Sequence, residues 1–250
     1  MDTNQTAGQT LTNAFKHLTP AYKHIVIGLG EVGWALYNII LAVGYDINKP
    51  NYKSTPLGQF DFMHICIPYG PNFITAVRNY QRQFEAKYVV IHSTVPIGTC
   101  DKYGWTHSPV RGKHPDLAKS LLTFKKYVGG VNAVAVAKEL EKAGFNTQVV
   151  TKAANTEAGK LYDLFQYAAS IMVEKHIFNM CEKLHLDFDR VYRNFNKTYN
   201  EGYHAMGMDE VIRPVLEHKP GPIGGHCVIP MLKLLDDNNA REIIKSNELL

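Results

Sequence analysis

The chain holds 250 residues, 45% of them apolar, with 27 basic against 23 acidic side chains and a net charge of +4. That length can bury a sizeable core in one large domain or two unequal ones, and the charge forms no basic block that would point to nucleic acid. No apolar run approaches the ~20 residues that cross a bilayer, residues 1–20 lack the apolar core of a secretion signal, and Cys66, Cys100, Cys181 and Cys227 form no C-x-x-C pair, so a reduced, cytoplasmic protein without a membrane partner or a metal is expected.

Residues 1–22 read as an extension, with one or two helical turns at Leu11–Leu18. His24–Ile27 is a short apolar run closed by Gly28, the pattern of a buried strand. A helix over Gly33–Ile40 and a second strand over Leu41–Ile47 follow, then a polar loop over 48–59. Phe62–Pro68 predicts a third strand, Phe73–Ala86 a helix, and Tyr88–His92 a fourth strand that runs into the turn Ser93-Thr94-Val95-Pro96. Strand signals at Lys126–Gly130 and Thr147–Val150 bracket a helix over Ala133–Ala143. Strands alternating with helices at this spacing predict an α/β fold with a doubly wound parallel sheet. The pattern then changes. Leu161, Leu164, Phe165, Ala168, Ile171 and Met172 recur at spacings of three and four, which predicts one long helix over Asn155–Leu184, capped by Asn155 or Thr156. Asp189–Asn196 is helical, 198–225 is loop-rich, and the tail from Met231 is helical again. The expected division is 1–22 extension, 23–152 α/β domain and 153–250 mostly helical region.

Gly28-Leu29-Gly30-Glu31-Val32-Gly33 follows a strand and opens a helix, the setting in which this glycine spacing binds a dinucleotide in a Rossmann-type sheet. The helix start offers unpaired N–H groups and a partial positive charge to a pyrophosphate. Asp46, 18 residues after Gly28, would accept a ribose 2′-hydroxyl and repel the extra phosphate of NADP, so NAD is the expected cofactor. Near the C-terminus, Gly224-Gly225-His226-Cys227 puts a thiol on a loop, where a cation such as His226 or Lys160 could activate it. Taken alone, a loop cysteine is more often inert, and Lys160 with Glu157 three residues earlier reads first as a surface ion pair. Tyr203, His204 and Arg213, just before that loop, are candidates for an anionic or sugar-like ligand and equally for an ordinary polar loop.

Taken in order, these blocks resemble the UDP-glucose/GDP-mannose 6-dehydrogenase family, from about His24 to Pro230: the glycine loop, Tyr45-Asp46, the strand ending in Pro68, Ser93-Thr94-Val95-Pro96-Ile97-Gly98-Thr99, Ser108-Pro109, Glu157-x-x-Lys160 and Gly224-Gly225-His226-Cys227. The resemblance implies NAD-dependent oxidation of a primary alcohol of a sugar or nucleotide sugar. In that scheme Cys227 traps the aldehyde, Lys160 stabilises the oxyanion, and Pro68, Ser93 and Thr94 line the nicotinamide side. It also implies that the long helix builds a homodimer. The chain departs from the family at Leu164, where an asparagine is usual, at Met231, where an aspartate is usual, at Val228, which looks inserted, and at Val110-Arg111, where an acidic residue usually follows Ser-Pro. Only 20 residues follow Pro230, where the family begins a further α/β domain. Two alternatives remain: a single-hydride β-hydroxyacid-type dehydrogenase that needs Lys160 but not Cys227, and an NAD-binding dimer module without catalysis.

Overall fold

The computed structural model describes residues 23–54, 59–112, 116–225 and 227–250. The helical turns expected at Leu11–Leu18 lie outside the described residues. The chain forms two compact units, one ending at Ala158 and one beginning at Gly159.

The first unit is built on seven strands: β1 (His24–Ile27), β2 (Val43–Tyr45), β3 (Phe62–Ile65), β4 (Tyr88–Ile91), β5 (Thr106–His107), β6 (Lys126–Gly129) and β7 (Thr147–Val150). Their order is β2-β1-β3-β4-β5-β6-β7. All neighbours run parallel except β5 and β6, which meet antiparallel through His107 and Gly129. The helices between them are α1 (Glu31–Ile40), α2 (Phe73–Gln83), α3 (Thr99–Tyr103), α4 (Leu117–Thr123) and α5 (Ala133–Lys142). Strand alternation sends Ile25, Ile27, Met63, Ile65, Val89 and Ile91 into one apolar layer with Val77 and Phe84. Val26, Phe62, Val90 and Val128 enter the other, with Leu36, Leu121, Val136 and Leu140 from the helices. Both faces are covered, as the continuous apolar runs of the strands require.

Several boundaries moved for local reasons. Strand β2 is three residues rather than seven, because Leu41 ends α1 in a left-handed conformation (φ 50°) and the chain must first turn. Strands β3 and β4 stop at Ile65 and Ile91, releasing Cys66–Pro68 and His92–Pro96 as turns. Helices α3 and α4 and strand β5 are too short to show a period and were not expected.

Helix α6 runs from Ala153 to Leu184, beginning in the first unit and continuing into the second. Its N-terminal cap is neither Asn155 nor Thr156. The Asp101 carboxylate, from α3, accepts the N–H groups of Ala153 (2.9 Å) and Ala154 (3.0 Å). In return Glu157, on α6, accepts the N–H groups of Gly98 (2.5 Å) and Cys100 (2.7 Å) at the start of α3. Each helix thus caps the other, and each carboxylate sits at a helix N-terminus, where the dipole favours it. Glu157 is 1% exposed, so it serves as a buried cap and not as the surface group expected. Burial raises its pKa, against the lowering pull of the two N–H groups.

The second unit continues with a π-helical turn (Asp189–Asn194), α7 (Phe195–Ala205), α8 (Ile229–Leu232) and α9 (Asn238–Asn247). The stretch 198–225 was expected as loop, but its first part is helix, so Tyr203 and His204 lie on α7. The unit's apolar cluster joins Leu161, Leu164 and Ala168 of α6 to Val228, Leu232, Leu235 and Ala240.

Two outcomes follow. Asp101→Ala removes the cap of α6 and lowers stability by about 1–2 kcal/mol, read from urea denaturation. Hydrogen bonds from Lys142, Lys23 and His24 overcome the effect of burial on Glu139 and hold its pKa down at about 2, against an ordinary 4.5. Its contribution is therefore complete above pH 4.5 and disappears as pH falls toward 2. The difference in urea midpoint between wild type and Glu139→Gln narrows over that window.

Candidate functional site

The carboxyl ends of β2, β1, β3 and β4 lie side by side, and each ends in a segment singled out by sequence. Asp46 follows β2, the glycine loop follows β1, Pro68 lies three residues past β3, and Ser93-Thr94 follow β4. The β1/β3 boundary is where the strand order reverses, the usual place for a ligand in an open α/β sheet.

The glycines of the loop have different reasons. Gly28 sits at φ +86°, and a side chain there would meet Ile67 at 2.7 Å. A Cβ on Gly33 would fall 1.8 Å from the carbonyl oxygen of Gly28, so only glycine lets α1 pack this closely on the end of β1. Gly30 differs: a Cβ there would have no protein atom within 4 Å. Packing does not account for its place in the motif. Leu29 is fully buried. Glu31 and Val32 open α1, and the N-cap residue, Gly30, has no side chain to close the helix start.

Asp46 ties β2 to the loop. Its Oδ2 accepts the N–H of Leu29 at 2.8 Å and its Oδ1 the N–H of Asn48 at 2.9 Å. Each carboxylate oxygen keeps a second lone pair for a ligand hydroxyl. Ser93 donates to the carbonyl of Ile67 at 2.6 Å and so fixes the β4 turn against the segment that carries Pro68. Ser93 and Thr94 are half-buried and Pro68 is exposed. Cys66 lies in this turn region rather than within a strand, and burial pushes its thiol up to about 12. Cys100 and Cys181 are buried.

Lys160 and Cys227 belong to the second unit. Lys160 is half-buried on α6, and Cys227 is exposed. The residue after the cysteine, Val228, belongs to the buried apolar cluster that also holds Leu161 and Leu164, so the cysteine loop is anchored in the core of the second unit. The chain leading to it is held too. Buried Lys175 donates to the carbonyls of Lys219 (2.5 Å) and Gly221 (2.6 Å). Buried Glu174 pairs with His218 Nδ1 at 2.8 Å, and the His218 ring stacks on Phe178 with 3.6 Å between centroids. Ile223 N–H reaches Asn247 Oδ1 at 2.5 Å. Sequence reasoning missed Glu174 and Lys175; adjacent charges within an otherwise apolar helix period were the available signal.

Of the suggested substrate residues, Tyr203 and Arg213 both lie against Tyr199, and His204 has a separate partner. His204 pairs with Asp209 at 2.7 Å on the surface, which raises its pKa. Tyr203 packs against Tyr199, and the Arg213 guanidinium lies 3.6 Å from the Tyr199 ring centre. Asn200 clamps the Arg213 backbone through its N–H (2.9 Å) and carbonyl (2.8 Å). His226 lies outside the described residues. Among the described residues no His/Cys/Asp/Glu group could hold a metal, and no helix is long and apolar enough to cross a membrane.

No family model and no curated protein matches the chain. Solved structures do. UDP-D-ManNAc dehydrogenase from Pyrococcus horikoshii superposes with a TM-score of 0.70 at 19% identity, over 90% of this chain and 68% of that one. A UDP-glucose dehydrogenase from the archaeon Pyrobaculum islandicum gives 0.68 at 19%, over 93% and 69%. Mycobacterium tuberculosis 3-hydroxyisobutyrate dehydrogenase, solved with L-serine, gives 0.68 at 14%, over 92% and 94%. At these identities what is shared is the fold: a Rossmann-like sheet flanked by helices, followed by a largely helical region.

The glycine contacts give a direct test. Gly33→Ala forces α1 away from β1 and destabilises the protein by about 1–3 kcal/mol, as overpacking does. Gly30→Ala stays within about 0.5 kcal/mol of wild type in the same denaturation experiment.

Proposed function

We propose that the protein is an NAD-dependent oxidoreductase that oxidises a primary alcohol of a sugar or nucleotide sugar. The observation that carries this reading is the row of carboxyl ends, with the open backbone at Gly30, the uncapped start of α1, and Asp46 beside them. Gly28–Gly33 would hold the pyrophosphate on backbone N–H groups, and Asp46 the ribose of NAD, in preference to NADP. Pro68, Ser93 and Thr94 would line the side where the nicotinamide lies. NAD supplies a hydride acceptor.

The chain's own residues do the rest. The Lys160 ammonium polarises the reacting oxygen and steadies its negative charge. The Cys227 thiol adds to the aldehyde carbon, its proton passing to the carbonyl oxygen to give a thiohemiacetal; a second NAD would take the second hydride, and water then cleaves the thioester to the acid and returns the thiol. Exposure of Cys227 on an anchored loop supports this role.

A second reading, oxidation by a single hydride as in β-hydroxyacid dehydrogenases, is favoured by a specific observation. Leu164 is buried and Met231 packs in the same apolar cluster. The two positions where the resembled family has asparagine and aspartate, which help hold the hydrolytic water, are therefore filled together by apolar side chains.

Dimerisation through α6 is part of the proposal, supported by Tyr167 (51% exposed), Val173 (57%) and Leu184 (55%) on that helix.

NADH formed per substrate consumed separates the readings. The thiol route gives two NADH and loses acid formation in Cys227→Ala. The single-hydride route gives one NADH and keeps its rate in that variant. NAD binding with no turnover of any nucleotide sugar or hydroxy acid would leave only a binding module.

A further inference from the structure

A line of buried polar side chains crosses the sheet face that otherwise carries Val26, Phe62, Val90 and Val128. Strand alternation puts His24, His64 and Lys126 on that face, with His92 one residue past the end of β4. His64 pairs in register with Val26 and Val90. Each step from His24 to His64 to His92 therefore crosses one strand and moves two residues toward the carboxyl ends.

The ring nitrogens follow one another in hydrogen-bond contact. His24 Nδ1 lies 3.1 Å from His64 Nε2, and His64 Nδ1 lies 2.9 Å from His92 Nε2. His92 Nδ1 lies 3.2 Å from Lys126 Nζ and 2.8 Å from the Ser108 carbonyl. Lys126 also donates to the carbonyls of Ser108 (2.7 Å) and Pro109 (2.8 Å). At the far end His24 Nε2 is 3.4 Å from Glu139 Oε1. His64, His92 and Lys126 are all buried, which costs desolvation that an apolar row would avoid.

The two ends set the direction of the protons. An ammonium only donates. With Lys126 giving a proton to His92 Nδ1, His92 carries its own on Nε2 and donates to His64 Nδ1. His64 Nε2–H then donates to His24 Nδ1, and His24 Nε2–H to the Glu139 carboxylate. Each ring holds one proton, in keeping with the burial that keeps His64 and His92 well below the usual imidazole range. The reverse ladder is equally complete: His92 Nδ1–H donates to the Ser108 carbonyl, every ring carries Nδ1–H, and a protonated Glu139 donates to His24 Nε2.

We propose that this row is a proton-transfer path across the sheet, linking Lys126 at the Ser108–Pro109 turn to Glu139 at the opposite end. One proton leaves Lys126 Nζ for His92 Nδ1. The Nε2 proton of His92 passes to His64 Nδ1, that of His64 to His24 Nδ1, and that of His24 to Glu139 Oε1. Lys126 ends as an amine and Glu139 as an acid, with no change in total charge and no ring holding two protons. The outer end opens on a surface depression of about 400 Å³ lined by Lys23, His24, Leu41, Glu139 and Lys142. Lys23 and Lys142 bind Glu139, Asp61 acts on His24, His107 acts on His92, and Lys126 acts on Cys66. The two lysines on Glu139 keep it ionised, so the proton rests at the Lys126 end.

Nitrogen NMR of the full chain with labelled histidine reads the ring protons directly. The expected wild-type result is a neutral Nε2–H tautomer on His24, His64 and His92. Glu139→Gln keeps an acceptor oxygen for His24 but cannot take up a proton. It slows exchange of the His64 ring proton with solvent by about tenfold or more, while protection of the His64 backbone amide is unchanged. In Lys126→Met, His92 turns its Nδ1–H to Ser108 while His24 still faces the Glu139 carboxylate. The row then takes up a proton at His24, whose pKa rises from its lowered position in the wild type. An Nδ1–H tautomer on wild-type His64, or ring exchange that Glu139→Gln leaves unchanged, overturns the proposal, even if Lys126→Met does not fold.

Discussion

The reciprocal capping of α3 and α6 is the constraint that fixes the start of the long helix within the first unit. Two carboxylates, Asp101 and Glu157, each leave their own helix to satisfy the backbone N–H groups at the start of the other. Neither helix start could be buried without such partners, since orphan N–H groups away from water cost about as much as lost hydrogen bonds. The exchange pins the beginning of a 32-residue helix to the turn that follows β4. Lys160 lies three residues beyond Glu157, so the same helical turn that carries the buried anchor leads into the candidate catalytic lysine. A residue that sequence spacing assigns to a surface pair is thus an internal fastening.

The glycines of the loop differ in what requires them. Gly28 and Gly33 are required by the protein's own atoms, one by its backbone conformation and one by the approach of α1 to the Gly28 carbonyl. Gly30 is required by neither, and it is the position where a ligand has the best claim. At the other end of the chain, the cluster of Leu161, Leu164, Val228 and Met231 is built of apolar side chains alone.

Buried charge is unevenly placed. Glu174 and Lys175 lie within α6 and hold the chain at 218–221. Lys126 lies within the sheet and holds the carbonyls of Ser108 and Pro109. In both places a buried cation binds backbone carbonyls of a turn, where directional bonds hold a chain segment that apolar packing would leave less defined.

The sequence by itself determined the α/β character, the central strands, the long helix and the glycine loop with Asp46. These rest on local rules: apolar runs mark buried strands, a period near 3.6 marks a helix, and glycine spacing marks a turn where only glycine fits. Helices α3 and α4 and strand β5 escaped that reading because they are shorter than the periods that would reveal them. Only the tertiary structure decided that Asp101 caps α6, that Glu157 is buried, that His24, His64, His92 and Lys126 form one row, and that Leu164 shares a cluster with Met231. Those partners stand between 28 and 67 residues apart in the chain. No local period links them; strand register and the antiparallel meeting of β5 with β6 align the polar row, while helix packing sets the caps and the cluster.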